Sequence, residues 1–451
     1  MTAIARAWDN LTVTGKILVP LLFLVLVVAP VATVLIALFI GPWVVDVLAS
    51  NLGIVRFVVA ITGVLVFTIP TAFVIIYMEM KVIARMNLRI GPDRVGPYGS
   101  LMSVVHGLKF LSKEDFTPTG ADVPVFTLAP VVVFLATVMT FLVVPFGPGL
   151  VAQDLNIGLL YLFAIGGMNV VGLLMAGWAS FNKYSLLGGL RAAAQAVSYE
   201  IPLTLSVVGL VLLAGTLSVY QIGAAQAGWF TDWFVFRQPL GALIFLIAGT
   251  AEANRSPLDM TEADQEIVAG FATEYSGMRF AFFFFAEYVN VFVMSALIVT
   301  LFFGAWNAPF PFPDVAPALD PGSLGIGLVL LLAAAPVALT LLFAAPFYLA
   351  RSSTPAWQAL LLGFITFSVV AVGGLLGAAY LGLDWFAGLA WFMVKTFVFV
   401  FVFVWMRGTF PRVRIDQLMG FAWKWLLPAS LLNLFVTAAA ILVVEALNKA
   451  G

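Results

Sequence analysis

The sequence predicts an all-α polytopic membrane protein with about eleven transmembrane helices and an interfacial amphipathic helix near residues 100–110. Hydrophobic residues make up 63% of the 451 residues and charged residues only 10%, whereas about a quarter of a soluble globular chain is charged. Apolar runs of about 20 residues, the length that a helix needs to cross the hydrocarbon layer, recur along the chain. Strict alternation of apolar and polar residues is absent, which argues against a transmembrane barrel.

Eleven candidate spans lie between breaks that are charged or rich in proline and glycine. They are residues 17–41, 57–78, 124–145, 157–178, 201–217, 239–252, 279–304, 324–350, 356–383, 386–406 and 425–446. The first span could pass for a signal peptide, but at about 25 residues it exceeds the usual core of about 7–15 residues, so we interpret it as a retained helix. The sixth span is short, and we expect it to be tilted, broken or completed by the residues that follow it.

Lysine and arginine predict the orientation of these spans. Of the 21 such residues, 17 fall on one side, three (Arg56, Arg237 and Lys449) fall on the other, and Lys395 lies within a span. Cytoplasmic loops are enriched in these residues, so we expect a cytoplasmic N-terminus. No soluble domain separates the spans, so residues 1–451 are interpreted as a single membrane domain whose longest loops, residues 79–123 and 253–278, face the cytoplasm.

The composition also limits the cofactors that the chain can hold. It contains no cysteine, which excludes disulfides and thiolate-held Fe–S clusters or zinc within this chain, and no metal site is expected. The formal net charge of −1 gives no reason to expect nucleic acid as a partner. Any redox centre must therefore belong to a partner subunit.

The loop after the second span combines positive charge with rigid turns. Residues 89–99 read RIGPDRVGPYG, and the two Gly-Pro pairs force a non-helical stretch that carries Arg89 and Arg94. Basic residues at a helix end often set topology or touch anionic lipid, which explains the charges but not the double Gly-Pro frame. His106, the only histidine, follows in the amphipathic stretch. A lone histidine is more often incidental, yet one at the membrane surface can deliver a proton near physiological pH.

A second loop is acidic. Between the sixth and seventh spans it holds Glu252, Asp259, Glu262, Asp264, Glu266 and Glu274. Acidic loops are usually solvated faces. This one lies on the side that is otherwise positive, and closely spaced carboxylates repel one another, so some are expected to hold protons as a proton relay requires.

Ionisable residues also lie in or against the apolar spans. Glu287 lies roughly 12 Å deeper than Arg279, and Lys395 lies roughly 18 Å from Arg407, at the rise of about 1.5 Å per residue of a helix. An intramembrane charge is by default a functional residue, so both are assigned to the relay. Glu200 is assigned there on weaker grounds, because a glutamate in the first turn also complements the helix dipole.

The segment from residue 407 to residue 424 places several cations at the cytoplasmic edge. Arg407, Arg412 and Arg414 are accompanied there by Asp416. Topology alone could explain these cations, but the mixed charges suggest a docking face for a soluble partner, to which Arg94 is also assigned.

These blocks together resemble the H-subunit family of NADH–quinone oxidoreductase, respiratory complex I, whose mitochondrial member is known as subunit 1. The resemblance runs from Glu79 to about Pro428 and rests on RIGPDRVGPYG, GWASFNKYSLLGGLRAAAQAVSYEIPL, AEANRSPLD with GFATEYSGM, FFAEYVN, and RGTFPRVRIDQLM. It implies a subunit that is not catalytic alone, in a prokaryotic plasma (inner) membrane, among other membrane and peripheral subunits that hold flavin and Fe–S clusters. The implied substrate is a quinone, ubiquinone or menaquinone, and no cofactor would be bound covalently.

The resemblance also implies roles for particular residues. Glu79, Arg85 and Arg89 match the quinone-side charges of the family, and His106 stands near the quinone path where the family usually has an acid. The acidic funnel of the family is matched by Glu200, Glu252, Asp259, Glu262, Asp264, Glu266, Glu274 and Glu287. In the fourth span, where some relatives carry an acid near Gly167, only Asn169 is near. Residues 57–304 and 386–446 form the family core, residues 1–56 an extra N-terminal helix, and residues 324–383 an extra pair.

Other functions share some of these features. The homologous anchor of a membrane-bound hydrogenase or of another donor–quinone oxidoreductase would have the same fold with a different electron input. A secondary ion transporter is a further alternative, but transporters place their sites near the bilayer midplane within related repeats. Most acids here lie in predicted cytoplasmic loops, and the sequence shows no internal repeat.

Overall fold

The computed structural model describes residues 52–260, 268–309 and 384–450. These residues form helices and loops without strands, apart from one isolated bridge between Gly147 and Leu150, which confirms the predicted all-α class. The chain divides into two compact units, Met1–Gly63 and Val64–Gly451, and the site described below lies in the second.

Seven helices of the described residues contain segments that are long and apolar enough to cross a membrane, which confirms the polytopic class. A shorter apolar helix and the amphipathic helix complete the frame of the site. The helices are α1 (Leu52–Met86), α2 (Met102–Ser112), α3 (Val123–Thr140), α4 (Gly158–Ala179), α5 (Lys183–Ala214), α6 (Val219–Ala224), α7 (Phe234–Arg237), α8 (Pro239–Glu252), α9 (Gly277–Phe302), α10 (Asp384–Thr409), α11 (Ile415–Phe421) and α12 (Leu427–Ala450), with a π-helical turn at Ala422–Leu426 between the last two.

Each predicted span within the described residues coincides with one of these helices. The predicted spans at residues 17–41, 324–350 and 356–383 lie outside the described residues. The largest difference is at α5, which begins at Lys183 and not near residue 201. The side chain of Asn182 caps this helix by accepting a hydrogen bond from the backbone N–H of Tyr184 at 2.9 Å. Lys183 and Arg191, interpreted as loop residues because of their charge, therefore belong to the helix.

Helix α9 is the centre of the packing. In its most apolar window 72% of the residues are buried, against 17–44% in the other six spanning helices. Phe292 stacks on Phe141 near α3 with ring centroids 6.0 Å apart and meets Phe397 of α10 at 6.1 Å. Glu287 and Tyr288 of α9 lie largely buried within this packing.

Two opposite ends of the bundle differ in chemistry. One end, which we call the charged side, contains residues 79–122, 253–260, 268–279 and 407–418. On the opposite side, the amide of Gln226 donates to the Thr300 carbonyl at 2.9 Å and accepts from the backbone N–H of Gly304 at 3.0 Å. Gln226 therefore closes the C-terminal end of α9 there.

The loop between α1 and α2 has the predicted turns and amphipathic helix. Gly91 and Gly96 adopt φ of +71° and +73°, the left-handed region that favours glycine. Helix α2 follows, with exposed Leu108 and Leu111 on one face. Ser103 is buried, and Gly107 lies against the ring of Phe73, where an added Cβ would be 3.0 Å from the ring. The predicted amphipathic helix near residues 100–110 is confirmed.

Candidate functional site

A buried arginine joins two carboxylates on the charged side. Arg255 Nη1 lies 3.3 Å from Glu79 Oε2 and 3.3 Å from Glu287 Oε1. The guanidinium also lies 4.2 Å from the ring centroid of Tyr288, within the range of a cation–π interaction. The side chain of Arg255 is only 4% exposed, so water and salt screen these interactions weakly. We call Glu79, Arg255, Glu287 and Tyr288 the charge cluster.

Two helices and one turn bring the charge cluster together. Glu79 lies about two turns before the end of α1, and Glu287 lies about three turns into α9. Arg255 lies in the turn directly after α8, whose last residues are held by Gln195 of α5. The Gln195 amide donates to the Ala251 carbonyl at 2.8 Å. The cluster therefore depends on the packing of three segments that are distant in sequence.

The charge of Arg255 is fixed by its surroundings. Burial by itself would lower the pKa of the guanidinium, because the charged form loses its hydration. The negative charges of Glu287 and Glu79 outweigh that effect, and the pKa is raised above its ordinary value. Arg255 is consequently a permanent cation between the two carboxylates.

Two arginines predicted to dock a partner pair with acids of this chain. Arg407 Nη1 lies 2.5 Å from Glu79 Oε1, and Arg412 Nη2 lies 3.2 Å from Asp259 Oδ2. The first pair extends the charge cluster toward the edge of the bundle. Exposed residues assigned to the same docking face are Arg94, Arg414 and Asp416. A docking role for this set stays a prediction.

Two neighbouring cavities are lined by Glu287 of the charge cluster and by further acids. The first, with about 40 Å³ of space for water, is lined by Glu200 and Glu252, and the second, with about 30 Å³, is lined by Glu287. Asn169 and Asn290 line both cavities. Glu252 is only 9% exposed, and its Oε2 is buried without a hydrogen-bond partner among the described residues. A carboxylate buried in this way needs a polar partner such as water, which the cavity can supply.

The rest of the acidic loop is partly described. Glu274 Oε1 accepts a hydrogen bond from Asn182 Nδ2 at 2.6 Å, which ties the loop to the start of α5. Tyr275 stacks on Phe126 with ring centroids 4.0 Å apart, and burial raises the pKa of its phenol, so it stays neutral. Glu262, Asp264 and Glu266, assigned to the relay, lie outside the described residues.

The predicted quinone-side residues do not all meet in the structure. Glu79 is buried in the charge cluster, whereas Arg85 and Arg89 are exposed and His106 is half-buried on α2. In the part of the chain that the structure describes, none of these three forms a hydrogen bond or ion pair with Glu79. Their quinone-binding role stays a prediction.

Lys395 of α10 has partners that suggest a structural role. Its ammonium group donates to the carbonyl oxygens of Phe303 at 2.8 Å, Ala305 at 3.1 Å and Asn307 at 2.6 Å. It also lies 4.2 Å from the ring of Trp233. Phe303 is the C-cap residue of α9, and the other two carbonyls belong to the turn that follows it, so the cation holds the chain at the end of this helix. The place of Lys395 in a relay stays a prediction.

We expect Lys395→Met to destabilise the protein by about 1.5–3 kcal/mol, because each lost hydrogen bond leaves a carbonyl oxygen without its charged donor. The measurement is the thermal inactivation midpoint of the assembled complex. Lys183→Met, at an exposed lysine over Tyr184, is the matched control and should change stability by less than about 0.5 kcal/mol. Unchanged thermal stability together with lost proton pumping in Lys395→Met would favour the relay role.

The sequence interpretation assigned no role to four residues of the site, namely Arg255, Tyr288, Asn169 and Asn290, although it noted Asn169 where some relatives carry an acid. Arg255 was counted only among the lysines and arginines that predict the orientation, although it is the sole cation between Glu252 and Glu274. That position was an available signal, because a lone cation in an acidic loop has several possible partners. Nothing in the sequence marks the two asparagines as neighbours, since they lie on different helices.

Known proteins resemble this chain over most of its length. The family model described as NADH dehydrogenase matches residues 58–438. The H subunit of the NADH-quinone oxidoreductase of Geobacillus kaustophilus is 42% identical over 379 residues, which cover 83% of this chain and 92% of that protein. Its counterpart of the same name in Dehalococcoides mccartyi is 38% identical over 384 residues, 85% of this chain and 86% of that protein. The counterpart in Brevibacillus brevis is 40% identical over 383 residues, 84% of this chain and 92% of that protein.

Proposed function

Since the chain belongs to the H-subunit family of NADH–quinone oxidoreductase, as a membrane subunit of that enzyme complex, we propose that it forms the membrane part of the quinone chamber and couples quinone reduction to proton movement. The substrate is ubiquinone or menaquinone. Flavin and Fe–S clusters belong to partner subunits, consistent with a chain that contains no cysteine.

One observation carries this proposal: Arg255 is shared between Glu79 and Glu287. Glu79 is the acid assigned to the quinone side, and Glu287 is assigned to the relay. A guanidinium that contacts both makes the charge state of one carboxylate depend on that of the other. The acid assigned to the quinone side and one acid of the proposed relay thereby share one cation.

A row of aromatic rings supports a path for an apolar quinone ring. Phe110 of α2 lies 5.7 Å from Phe280 and 6.2 Å from Phe284, measured between ring centroids. Phe284 lies 4.8 Å from Tyr288, which contacts Arg255. The rings thus lead from the amphipathic helix to the charge cluster, and aromatic surfaces stack favourably on planar rings.

The coupling has a simple electrostatic basis. Quinone reduction takes up two electrons and two protons, so negative charge develops at the head group before the protons arrive. Two unit charges about 4 Å apart interact by about 4 kcal/mol at an effective dielectric constant of 20. Charge that develops near Arg255 competes with Glu79 and Glu287 for this cation, which favours uptake of a proton by one of the carboxylates.

The proposed orientation places the charged side in the cytoplasm, where peripheral subunits deliver electrons. Partner subunits within the membrane lie beside the helix bundle and receive protons from the relay. Exposed Arg94, Arg414 and Asp416 are the proposed contacts with a peripheral subunit, because exposed charges of both signs give an interface specificity. The lipid bilayer surrounds the exposed apolar faces of the helices.

Glu287→Gln in the assembled complex tests the proposed function. We expect quinone-linked NADH oxidation and proton pumping to fall together, by on the order of tenfold or more. The variant removes one of the two carboxylates paired with Arg255 and one titratable group of the relay. Oxidation of NADH by an artificial acceptor at the partner subunits should be unchanged.

The matched control is Asp232→Asn, an exposed acid on the opposite side that pairs with Arg237. It should leave all three rates unchanged. Normal quinone-linked turnover and pumping in Glu287→Gln would contradict the proposed function, whereas a fall in the artificial-acceptor rate would reveal an assembly defect.

A further inference from the structure

Two asparagines separate the cavity of Glu287 from the cavity of Glu200 and Glu252. Asn169 of α4 and Asn290 of α9 line both spaces. No other lining residue is shared by the two cavities. Any water path from Glu287 to Glu252 through these cavities therefore passes the two carboxamides.

The polar atoms at this junction are suited to hold water. Asn290 Nδ2 donates to the backbone carbonyl of Glu252 at 3.0 Å, which fixes its amide beside the first cavity. Asn169 Oδ1 and Glu252 Oε2 are both buried, and neither has a hydrogen-bond partner among the described residues. A buried acceptor without a partner costs about 1–3 kcal/mol, so both oxygens favour water molecules that donate to them.

A glycine next to the junction keeps the first cavity open. Gly166 lines this cavity, and a Cβ added there would meet no atom within 4 Å. At the neighbouring Gly167, an added Cβ would come to 3.9 Å from Glu200 Oε1. Although Leu162 and Ile165 of α4 line the same cavity, the two glycines leave room for water beside Glu200.

We propose that Asn169 and Asn290 are positioning residues that hold water between Glu287 and Glu252, so that protons cross the junction through water and not through a further carboxylate. This inference rests on the proposed function and adds the means by which its relay is connected. In one transfer an O–H bond of the Glu287 carboxyl breaks and an O–H bond forms on the Glu252 carboxylate. Each water molecule between them accepts one proton and gives up one, no electrons move, and the amides keep their protons.

A neutral amide at this point has a physical advantage. Glu79, Glu287, Glu200 and Glu252 already place several negative charges near one another, and a further carboxylate would repel them. An amide orients water by hydrogen bonds without adding charge. Protons then stop only at the carboxylates on either side of the junction.

Asn169→Leu in the assembled complex is the first test. We expect the quinone-linked kcat and proton pumping to fall on the order of tenfold, as the loss of a buried hydrogen-bonded interaction implies. The KM for quinone and the artificial-acceptor rate should stay unchanged. Asn169→Ser, which keeps a neutral oxygen at this position, should retain much more of the rate than Asn169→Leu. The matched control is Met168→Leu on the exposed face of α4, which should have no effect.

Gly166→Leu is the second test, because it adds a side chain to the wall of the first cavity while Asn169 and Asn290 stay unchanged. The added Cβ has free space, and leucine favours a helix more than glycine does, so folding is expected to be kept. We expect a loss of pumping similar to that of Asn169→Leu. If Asn169→Leu fails to assemble, as shown by a low artificial-acceptor rate, Gly166→Leu decides the outcome.

Two results would overturn the water junction in different ways. Normal pumping in both Asn169→Leu and Gly166→Leu, with pumping lost in Glu287→Gln, would overturn the junction and leave the proposed function standing. Normal pumping in all three variants would overturn both. If Asn169→Leu raised the KM for quinone and left kcat unchanged, Asn169 would belong to substrate binding. That result would also contradict the junction.

Discussion

Replacing Arg255 by methionine should have the largest effect of any single substitution in the charge cluster. The change leaves Glu79 and Glu287 buried while removing the cation that lies 3.3 Å from each. Removing one partner of a buried ion pair typically costs about 3–5 kcal/mol, because the remaining charge is left without compensation. We expect a lower thermal inactivation midpoint of the complex and a quinone-linked rate near zero.

The comparison with two further variants separates charge from geometry. Arg255→Lys keeps the cation but loses the planar guanidinium that reaches two carboxylates and the Tyr288 ring, so it should recover part of the stability and little of the rate. Arg237→Met is the matched control, since Arg237 pairs with Asp232 at an exposed site where the contribution is about 0–1 kcal/mol. A normal rate and midpoint in Arg255→Met would remove Arg255 from the proposed coupling.

Much of the helical frame was predictable because each crossing must contain a long apolar run. The predicted spans at residues 124–145, 157–178 and 279–304 match α3, α4 and α9 closely. The same rule could not predict the start of α5, because the rule treats charged residues such as Lys183 and Arg191 as breaks between spans. A helix accommodates such residues where it extends beyond the apolar layer, and its true start is set by the Asn182 cap.

The site was predictable in part, and the reason lies in sequence separation. The relay acids could be selected because they are carboxylates in acidic loops or within apolar spans. The residues that pair with them could not be selected in this way. Glu79 and Arg255 are 176 residues apart in sequence, and Glu79 and Arg407 are 328 residues apart. Such pairs are formed by helix packing, which no local pattern encodes. Lys395 shows the converse case, because an intramembrane charge predicted to be functional lies against backbone carbonyls.

Glu252→Gln should abolish most proton pumping, because Glu252 is the most buried acid of the first cavity and its Oε2 has no protein partner among the described residues. Glutamine keeps the shape of the side chain but cannot release or accept a proton. We expect quinone-linked oxidation and pumping to fall on the order of a hundredfold, since both depend on one connected path. The artificial-acceptor rate should stay normal, and Asp154→Asn, whose acid accepts from Ser218 on the opposite side, should behave as wild type.

A double-mutant cycle with Glu200 tests whether the two acids act in sequence. Both line the same cavity, so a proton that reaches one has access to the other through the same water. Residues that act as one unit show strongly non-additive effects. If Glu200 and Glu252 act in sequence, Glu200→Gln alone should be nearly as severe as Glu252→Gln, and the double variant should be no worse than the more severe single variant. Mild single effects with a severe double effect would instead mean that the two carboxylates provide parallel routes, and the path from Glu287 would then have to branch within the first cavity.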